Sequence, residues 1–215
     1  MRDVRTFYQT FDFECMITHA PPLIQEFFEK EIDFLQAHIN HTERILEVGC
    51  GYGRLLEILL PKTVVAVGID FSKQLLDKSR MRLKEKNVEL YEMNAEHIDF
   101  RDDSFDYALC LGATFGNMPG IEQQVLREMK RVSNLGGEVI ISVFSEEAKD
   151  SQIENYKRLG LKGITDDGVA VHTDEGFYSR RFARNDLVEL FENAGLKPTI
   201  IKLCPINYVA YATKY

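Results

Sequence analysis

The stretch that most limits what this chain can become is Ile45-Leu-Glu-Val-Gly-Cys-Gly-Tyr-Gly-Arg54, an apolar run that enters three alternating glycines and leaves in a helical pattern. Gly49, Gly51 and Gly53 lack the Cβ that would keep a ligand off the backbone, and they accept the positive φ of a tight strand-to-helix turn. A plain turn needs one or two such residues, so three in alternation point to a binding loop. Around it, strands are expected at Arg44 to Val48, Val64 to Ile69, Val88 to Met93, Tyr107 to Leu111 and Glu138 to Phe144. Helices are expected between them at Gly53 to Leu60, from Ser72 to about Lys86, and at Ile121 to Val132, with Asn134-Leu-Gly-Gly as the turn into the fifth strand. Strands in alternation with helices, the first two apolar throughout, imply a doubly wound α/β fold: a mostly parallel sheet covered on both faces.

The 215 residues suffice for one core, since a chain of this size buries about 70 % of its unfolded surface, and a single domain over 1–215 is expected. An amphipathic helix from Pro22 to Ile39 makes residues 1–43 a helical cover. Past Phe144 the alternation lapses into a charged helical stretch, Glu146 to Leu159, and a Gly- and Asp-rich piece, Gly163 to Phe182, that suggests a small antiparallel excursion. Residues 145–183 therefore read as an insertion on the substrate side, a lid or wall. A helix from Asn185 to Ala194 precedes two strands, Thr199 to Leu203 and Asn207 to Thr213. Their link, Cys204-Pro-Ile, is too short for a parallel crossover, so the last strand should run antiparallel.

Charge narrows the partners. With 26 Lys and Arg against 34 Asp and Glu, the formal charge of -8 repels nucleic acid. No apolar run approaches the roughly 20 residues that cross a bilayer, so no membrane partner is expected. The first residues lack a secretory apolar segment, which makes the cytoplasm the expected compartment. Cys15, Cys50, Cys110 and Cys204 form no C-x-x-C pair and read as core or site-lining thiols, and the five histidines have no zinc spacing; no metal is expected.

A dinucleotide would call for G-x-G-x-x-G, yet Arg54 stands where the third glycine would be and Glu47 lies two residues ahead of Gly49. A buried carboxylate repels a pyrophosphate by several kcal/mol and attracts a cation, so the ligand should be cationic and free of phosphate. S-adenosylmethionine fits. Asp70, ending the second strand, is placed to accept the ribose hydroxyls, and Phe71 to pack on the adenine.

Taken together, Glu-Val-Gly-Cys-Gly-Tyr-Gly-Arg after the first strand, Gly-Ile-Asp70-Phe-Ser after the second, Asn94-Ala-Glu96 after the third, Phe105-Asp-Tyr into the fourth and Asn134-Leu-Gly-Gly before the fifth resemble a class I S-adenosylmethionine-dependent methyltransferase over Ile45 to Tyr215. The resemblance implies a Rossmann-like sheet of seven strands in the order 3-2-1-4-5-7-6, the last antiparallel. It also implies S-adenosylmethionine as cofactor, with Glu47, Gly49 and Gly51 around its methionine part, Gly53 in the same cofactor-binding loop, Asp70 on the ribose, Asn94 at the adenine amino group, the Ala95 N–H on the ring and the Leu111 carbonyl on the α-ammonium. Many relatives carry Asp where Asn94 stands, so this contact would be neutral. Tyr8 would belong to an N-terminal stretch closing over the cofactor.

Cys110 to Pro119 is similar to the corresponding segment of glycine, sarcosine and amino-sugar N-methyltransferases, which implies a small-molecule acceptor, an amine among the candidates, oriented by Thr114 and Asn117. Alignment alone can supply roughly 7–11 kcal/mol of an in-line displacement, so no catalytic residue is required. His172 or Tyr178 is a candidate base, and Arg180, Arg181 and Arg184 are candidate partners of an acceptor carboxylate. A methyltransferase for protein or RNA, or a non-catalytic cofactor-binding protein, is the alternative. The atom methylated and the oligomeric state stay open.

Overall fold

In the computed structural model the described residues are Phe7, Phe11 and 14–215. Five parallel strands form the frame: β1 (Thr42–Val48), β2 (Thr63–Asp70), β3 (Val88–Glu92), β4 (Phe105–Cys110) and β5 (Ser133–Ser145), in the order β3-β2-β1-β4-β5. Their apolar residues divide between two faces with the period of two that a strand imposes. Leu46, Val48, Ala108, Cys110, Val139, Ile141 and Val143 enter one core cluster, while Ile45, Leu109 and Ile140 enter the other.

Helices close both faces. On the first, α5 (Glu122–Val132) contributes Val125, Leu126, Met129 and Val132 to the larger cluster, as does α7 (Arg184–Asn193) through Leu187 and Phe191. On the second, α2 (Pro22–His38), which follows a single turn, α1 (Cys15–Thr18), packs Leu35 beside Leu55 and Leu59 of α3 (Arg54–Leu59). Pro22 opens α2 where its missing N–H costs nothing. Ser72 caps α4 (Lys73–Arg82) by accepting the Leu75 N–H at 3.4 Å. α6 is Lys149–Arg158, preceded by a 3-10 turn over Glu146–Ala148.

The closing strands behave as their short link requires. β10 (Asn207–Thr213) is antiparallel to β5 and to β9 (Thr199–Cys204), so counting β9 and β10 as sixth and seventh gives the expected order 3-2-1-4-5-7-6. The excursion is also antiparallel: β6 (Thr165–Asp166), β7 (Ala170–His172) and β8 (Tyr178–Phe182) pair in sequence, and β8 rejoins the tip of β5 in parallel at Phe144 and Ser145. The inserted residues therefore stand at the end of the sheet where the glycine loop emerges. No helix among the described residues is long and apolar enough to cross a membrane.

Two local expectations are corrected. Asn134-Leu-Gly-Gly is not a turn before β5 but an irregular part of it: the register with β4 jumps from Phe105–Ser133 to Tyr107–Glu138, and Gly136 donates its N–H to the Lys214 carbonyl at 2.8 Å. Asp106 explains the jump. Its carboxylate accepts from the Glu43 and Arg44 amides at 3.0 Å, from Asn134 Nδ2 at 2.8 Å and from Thr42 Oγ1, pinning three strands where the extra residues bulge. α4 ends at Arg82 rather than near Lys86, because Glu85 turns to a left-handed φ of 66° and the Lys86 N–H closes a tighter turn on the Leu83 carbonyl at 3.0 Å.

Gly53 couples the glycine loop to α4. Its φ is +79°, and a Cβ there would lie 2.4 Å from Ser79 Oγ and 2.8 Å from Leu83 Cδ1. Gly53→Ala is expected to cost about 1–3 kcal/mol of stability through left-handed strain and overpacking, read as a lower urea midpoint with an unchanged slope.

Candidate active site

The ends of β1, β2 and β4 converge on a cleft whose empty volume, open mouth included, is about 1180 Å³. One side of it is backbone. Gly49 and Cys50 donate their N–H groups to the Ile69 carbonyl at 2.8 and 3.0 Å, folding the loop over the end of β2. Gly51 has a φ of +53° and no heavy atom within 4 Å of where a Cβ would sit, so its missing side chain leaves main chain facing open space. Asp70 braces the loop: Oδ2 accepts the Gly51 N–H at 2.9 Å and Oδ1 the Ser72 N–H at 2.8 Å. Each oxygen keeps a lone pair for a further donor. Burial pushes the Asp70 carboxyl up to about 6 against the pull of those two amides.

Glu47, next to the last residue of β1, is 3 % exposed, and its Oε2 is buried without a hydrogen-bond partner. Burial lifts its carboxyl to about 8; the Arg54 guanidinium opposes the rise, and the charges of Glu31 and Asp70 add to it. Glu31, fully buried on α2, accepts the Gly112 N–H at 2.7 Å through Oε1 and brings Oε2 within 3.6 Å of Arg54 Nη2. Its own carboxyl is raised by burial, again against Arg54. Arg54 lies over the Phe28 ring at 5.0 Å and is the one cation among the described lining residues. Three buried acids thus line or approach a cleft whose one cation among the described residues is Arg54, and burial disfavours their charged forms, a cost that a cationic ligand would relieve. The orphan Glu47 oxygen, the open Gly51 backbone and the spare Asp70 lone pairs fit an ammonium or sulfonium joined to a ribose.

Of the other expected contacts, Gly49, Phe71, Ala95, Leu111, Thr114 and Asn117 line the cleft with Glu47, Gly51 and Asp70. Gly53 does not; it sits behind the loop against α4, where packing is the reason for a glycine. Asn94 is also turned away. Its Nδ2 donates to Glu96 Oε2 at 3.0 Å and its Oδ1 accepts the Glu96 N–H at 3.1 Å, a local turn that occupies the amide, while Met93 and Ala95 on either side reach the cleft. Tyr8 lies outside the described residues.

The candidate base and the arginine cluster are not among the lining residues. His172 pairs with Asp167 at 2.8 Å and packs edge-on against Tyr178. Arg180 pairs with Glu122 at 3.1 Å, Arg181 is buried on Asp166 and Gln152, and Arg184 donates to the Ile200 carbonyl. Each guanidinium has a partner within the fold, which explains why none is presented to an acceptor. Cys50 lines the cleft, and Cys110 and Cys204 are buried.

Sequence reasoning missed Glu31, Arg54, Asn155, Tyr156 and Ser179. Glu31 had a legible signal, an acid at i+4 from Phe27 and i−4 from Leu35 on the apolar stripe of an amphipathic helix. Asn155, Tyr156 and Ser179 had none, since they reach the cleft only through the docking of α6 and β8.

Residues 45–137 match the family model described as a methyltransferase domain. A phosphatidylethanolamine N-methyltransferase of Cereibacter sphaeroides is 36 % identical over 110 residues, 49 % of this chain and 53 % of that protein. A demethylmenaquinone methyltransferase of Geobacillus is 34 % identical over 118 residues, 52 % of this chain and 49 % of the relative. The chain spans about half the length of these curated relatives. Among solved structures, a SAM-dependent methyltransferase from Aquifex aeolicus superposes with a TM-score of 0.69 at 20 % identity, over 96 % of this chain and 100 % of the other, which shows the shared fold. These findings bear out the resemblance to class I S-adenosylmethionine-dependent methyltransferases and the expected sheet.

The raised Glu47 carboxyl gives a pH test. An acid whose folded pKa exceeds its unfolded value stabilises the fold fully below the unfolded pKa, here 4.5, and loses that contribution as pH rises through about 8. Ligand-free wild-type protein should therefore lose stability between about pH 5 and about pH 9 more steeply than Glu47→Gln, in urea titrations at both ends. Parallel curves would remove the buried-acid assignment.

Proposed function

Since residues 45–137 match a methyltransferase domain, we propose that this chain is a class I S-adenosylmethionine-dependent enzyme that transfers a methyl group to a small-molecule acceptor held beneath its inserted segment, an amine being one candidate acceptor. The observation that carries the proposal is the unpartnered, buried Glu47 oxygen beside the open Gly51 backbone. When bound, S-adenosylmethionine supplies an electrophilic methyl carbon on a positively charged sulfur. Glu47 and the Leu111 carbonyl would hold the α-ammonium, Asp70 the ribose, and Phe71 with the Ala95 backbone the adenine. Glu31 acts at one remove: by accepting the Gly112 N–H it holds the turn in which Gly112 and Ala113 both adopt φ near +60°, and so aims the Leu111 carbonyl.

The chain's remaining part is to align and to exclude water. Ile24, Phe28, Phe144 and Phe177 wall the cleft with apolar surface, which strengthens the charge interactions inside it. Alignment of nucleophile and methyl carbon needs no covalent help from protein. Support for a small acceptor comes from relatives named for phosphatidylethanolamine and for demethylmenaquinone, while the net charge of -8 disfavours RNA.

Calorimetry tests the cofactor contacts. Asp70→Ala should weaken S-adenosylmethionine at least tenfold with the fold intact, and an unchanged affinity would remove Asp70 from the ribose. Glu47→Gln should weaken both S-adenosylmethionine and its demethylated product, which share the α-ammonium, and S-adenosylmethionine the more because it alone also carries the sulfonium charge; unchanged affinity for both would refute the electrostatic role. In thermal denaturation, S-adenosylmethionine at about 100 times its Kd should add about 2.7 kcal/mol. Release of S-adenosylhomocysteine with a metabolite panel, against none with RNA or protein, separates the proposal from a macromolecular methyltransferase; no release with any acceptor would support a non-catalytic binder.

A further inference from the structure

The end of the cleft away from the glycine loop is built by the insertion. Phe144 at the tip of β5, Asn155 and Tyr156 on α6, and Phe177 and Ser179 at β8 line it, and none of these is charged. Phe177 meets Tyr156 edge-on at 5.0 Å, and Phe144 meets Phe27 edge-on at 5.1 Å, so the walls at this end are largely aromatic.

The polar groups there have unused capacity. Asn155 is 3 % exposed, and its Oδ1 is buried with no hydrogen-bond partner. Tyr156 and Ser179 lie with their hydroxyl oxygens 2.8 Å apart, and Ser179 Oγ also receives Gln152 Nε2 at 3.0 Å. Gln152 cannot reverse its amide, because its Oε1 accepts from Arg181 Nη1 at 2.8 Å, and Arg181 is held by Asp166 at 2.5 Å. The Gln152 bond therefore brings a hydrogen to Ser179. The two hydroxyls carry two hydrogens and exchange one bond, so one O–H remains beside the cleft that both residues line. An unmet acceptor and a spare donor on a fixed network, with no buried charge to match an ion, define what this end can take.

We propose that Asn155 and the Tyr156–Ser179 hydroxyl pair form the acceptor subsite, and that it selects an uncharged, flat molecule whose hydroxyl or ring N–H donates to Asn155 and which accepts from the hydroxyl pair. This rests on assigning the glycine-loop end to the cofactor and deepens it by naming the acceptor class. A carboxylate-bearing acceptor such as glycine or sarcosine, to which the segment after β4 is similar, finds no counter-charge here, because Arg181 is already matched by Asp166 and Arg180 by Glu122. Burying that carboxylate unpaired would be unfavourable.

The test is calorimetric titration of the full chain with 2-naphthol and with indole, against glycine, sarcosine and ethanolamine, each with and without saturating S-adenosylhomocysteine. Either neutral ring compound should bind, the better of the two telling hydroxyl from N–H, and the three charged compounds should not. Asn155→Leu should weaken that binding at least tenfold and Ser179→Ala or Tyr156→Phe at least threefold, while affinity for S-adenosylhomocysteine stays within twofold. Ser179→Ala, the smallest change, keeps the test open should Asn155→Leu fail to fold. Binding of glycine or sarcosine in place of the ring compounds, or variants that bind them like wild type, would overturn the subsite. Failure of wild type to bind S-adenosylhomocysteine would instead overturn the cofactor assignment, and the titrations without it would still judge the subsite by itself.

Discussion

The site is governed by an imbalance of buried charge. Glu31, Glu47 and Asp70 are brought from a helix and two strand ends to one end of the sheet, and Arg54 is the guanidinium set among them. Burial disfavours the charged form of all three acids, most plainly of Glu47, which is lifted to about 8. A bound cation of fixed position would favour their charged forms. The same groups would repel a pyrophosphate, which separates this loop from a dinucleotide fold of similar shape.

The glycine loop is therefore one half of a device whose other half lies on α2. Glu31 grips the Gly112 amide on one side and approaches Arg54 on the other. The helix that precedes the sheet is in this way joined electrostatically to the loop after β1 and to the turn after β4. Asp106 does for the opposite end of the sheet what Asp70 does for this one: a carboxylate accepts backbone amides and sets the relative height of neighbouring strands. Both acids stand where strands begin or end, because only there are N–H groups left over by the ladder.

The insertion adds a second wall to the cleft. β8 touches the main sheet only at the tip of β5, and this short pairing carries Ser179 to the cleft that α6 reaches with Asn155 and Tyr156. The run from the exposed Lys149 through Asp166 to the buried Arg181, Gln152 and Ser179 orients that surface. Its groups are matched among themselves, leaving the cleft face neutral, in contrast to the acidic end beneath the glycines.

From residue order alone came the alternation of strands and helices, the antiparallel last strand, the binding loop, and the demand of Glu47 and Asp70 for a positive ligand. These follow from local chemistry: periodicity, missing Cβ atoms and charges within a few residues of a strand end. Gly53 and Asn94 were expected at the ligand by the same logic and do not line the cleft, because Ser79 and Glu96 engage them first, one distant in sequence and the other in a turn no pattern marks; the arginines of β8, for which an acceptor carboxylate was one candidate partner, are salt-bridged within the fold. Only the tertiary structure could bring Glu31 beside Arg54, or Asn155 and Ser179 to a common wall. The angle at which α2 docks and the register at which β8 meets β5 are outcomes of packing summed over the whole core, and no short stretch of the chain encodes them.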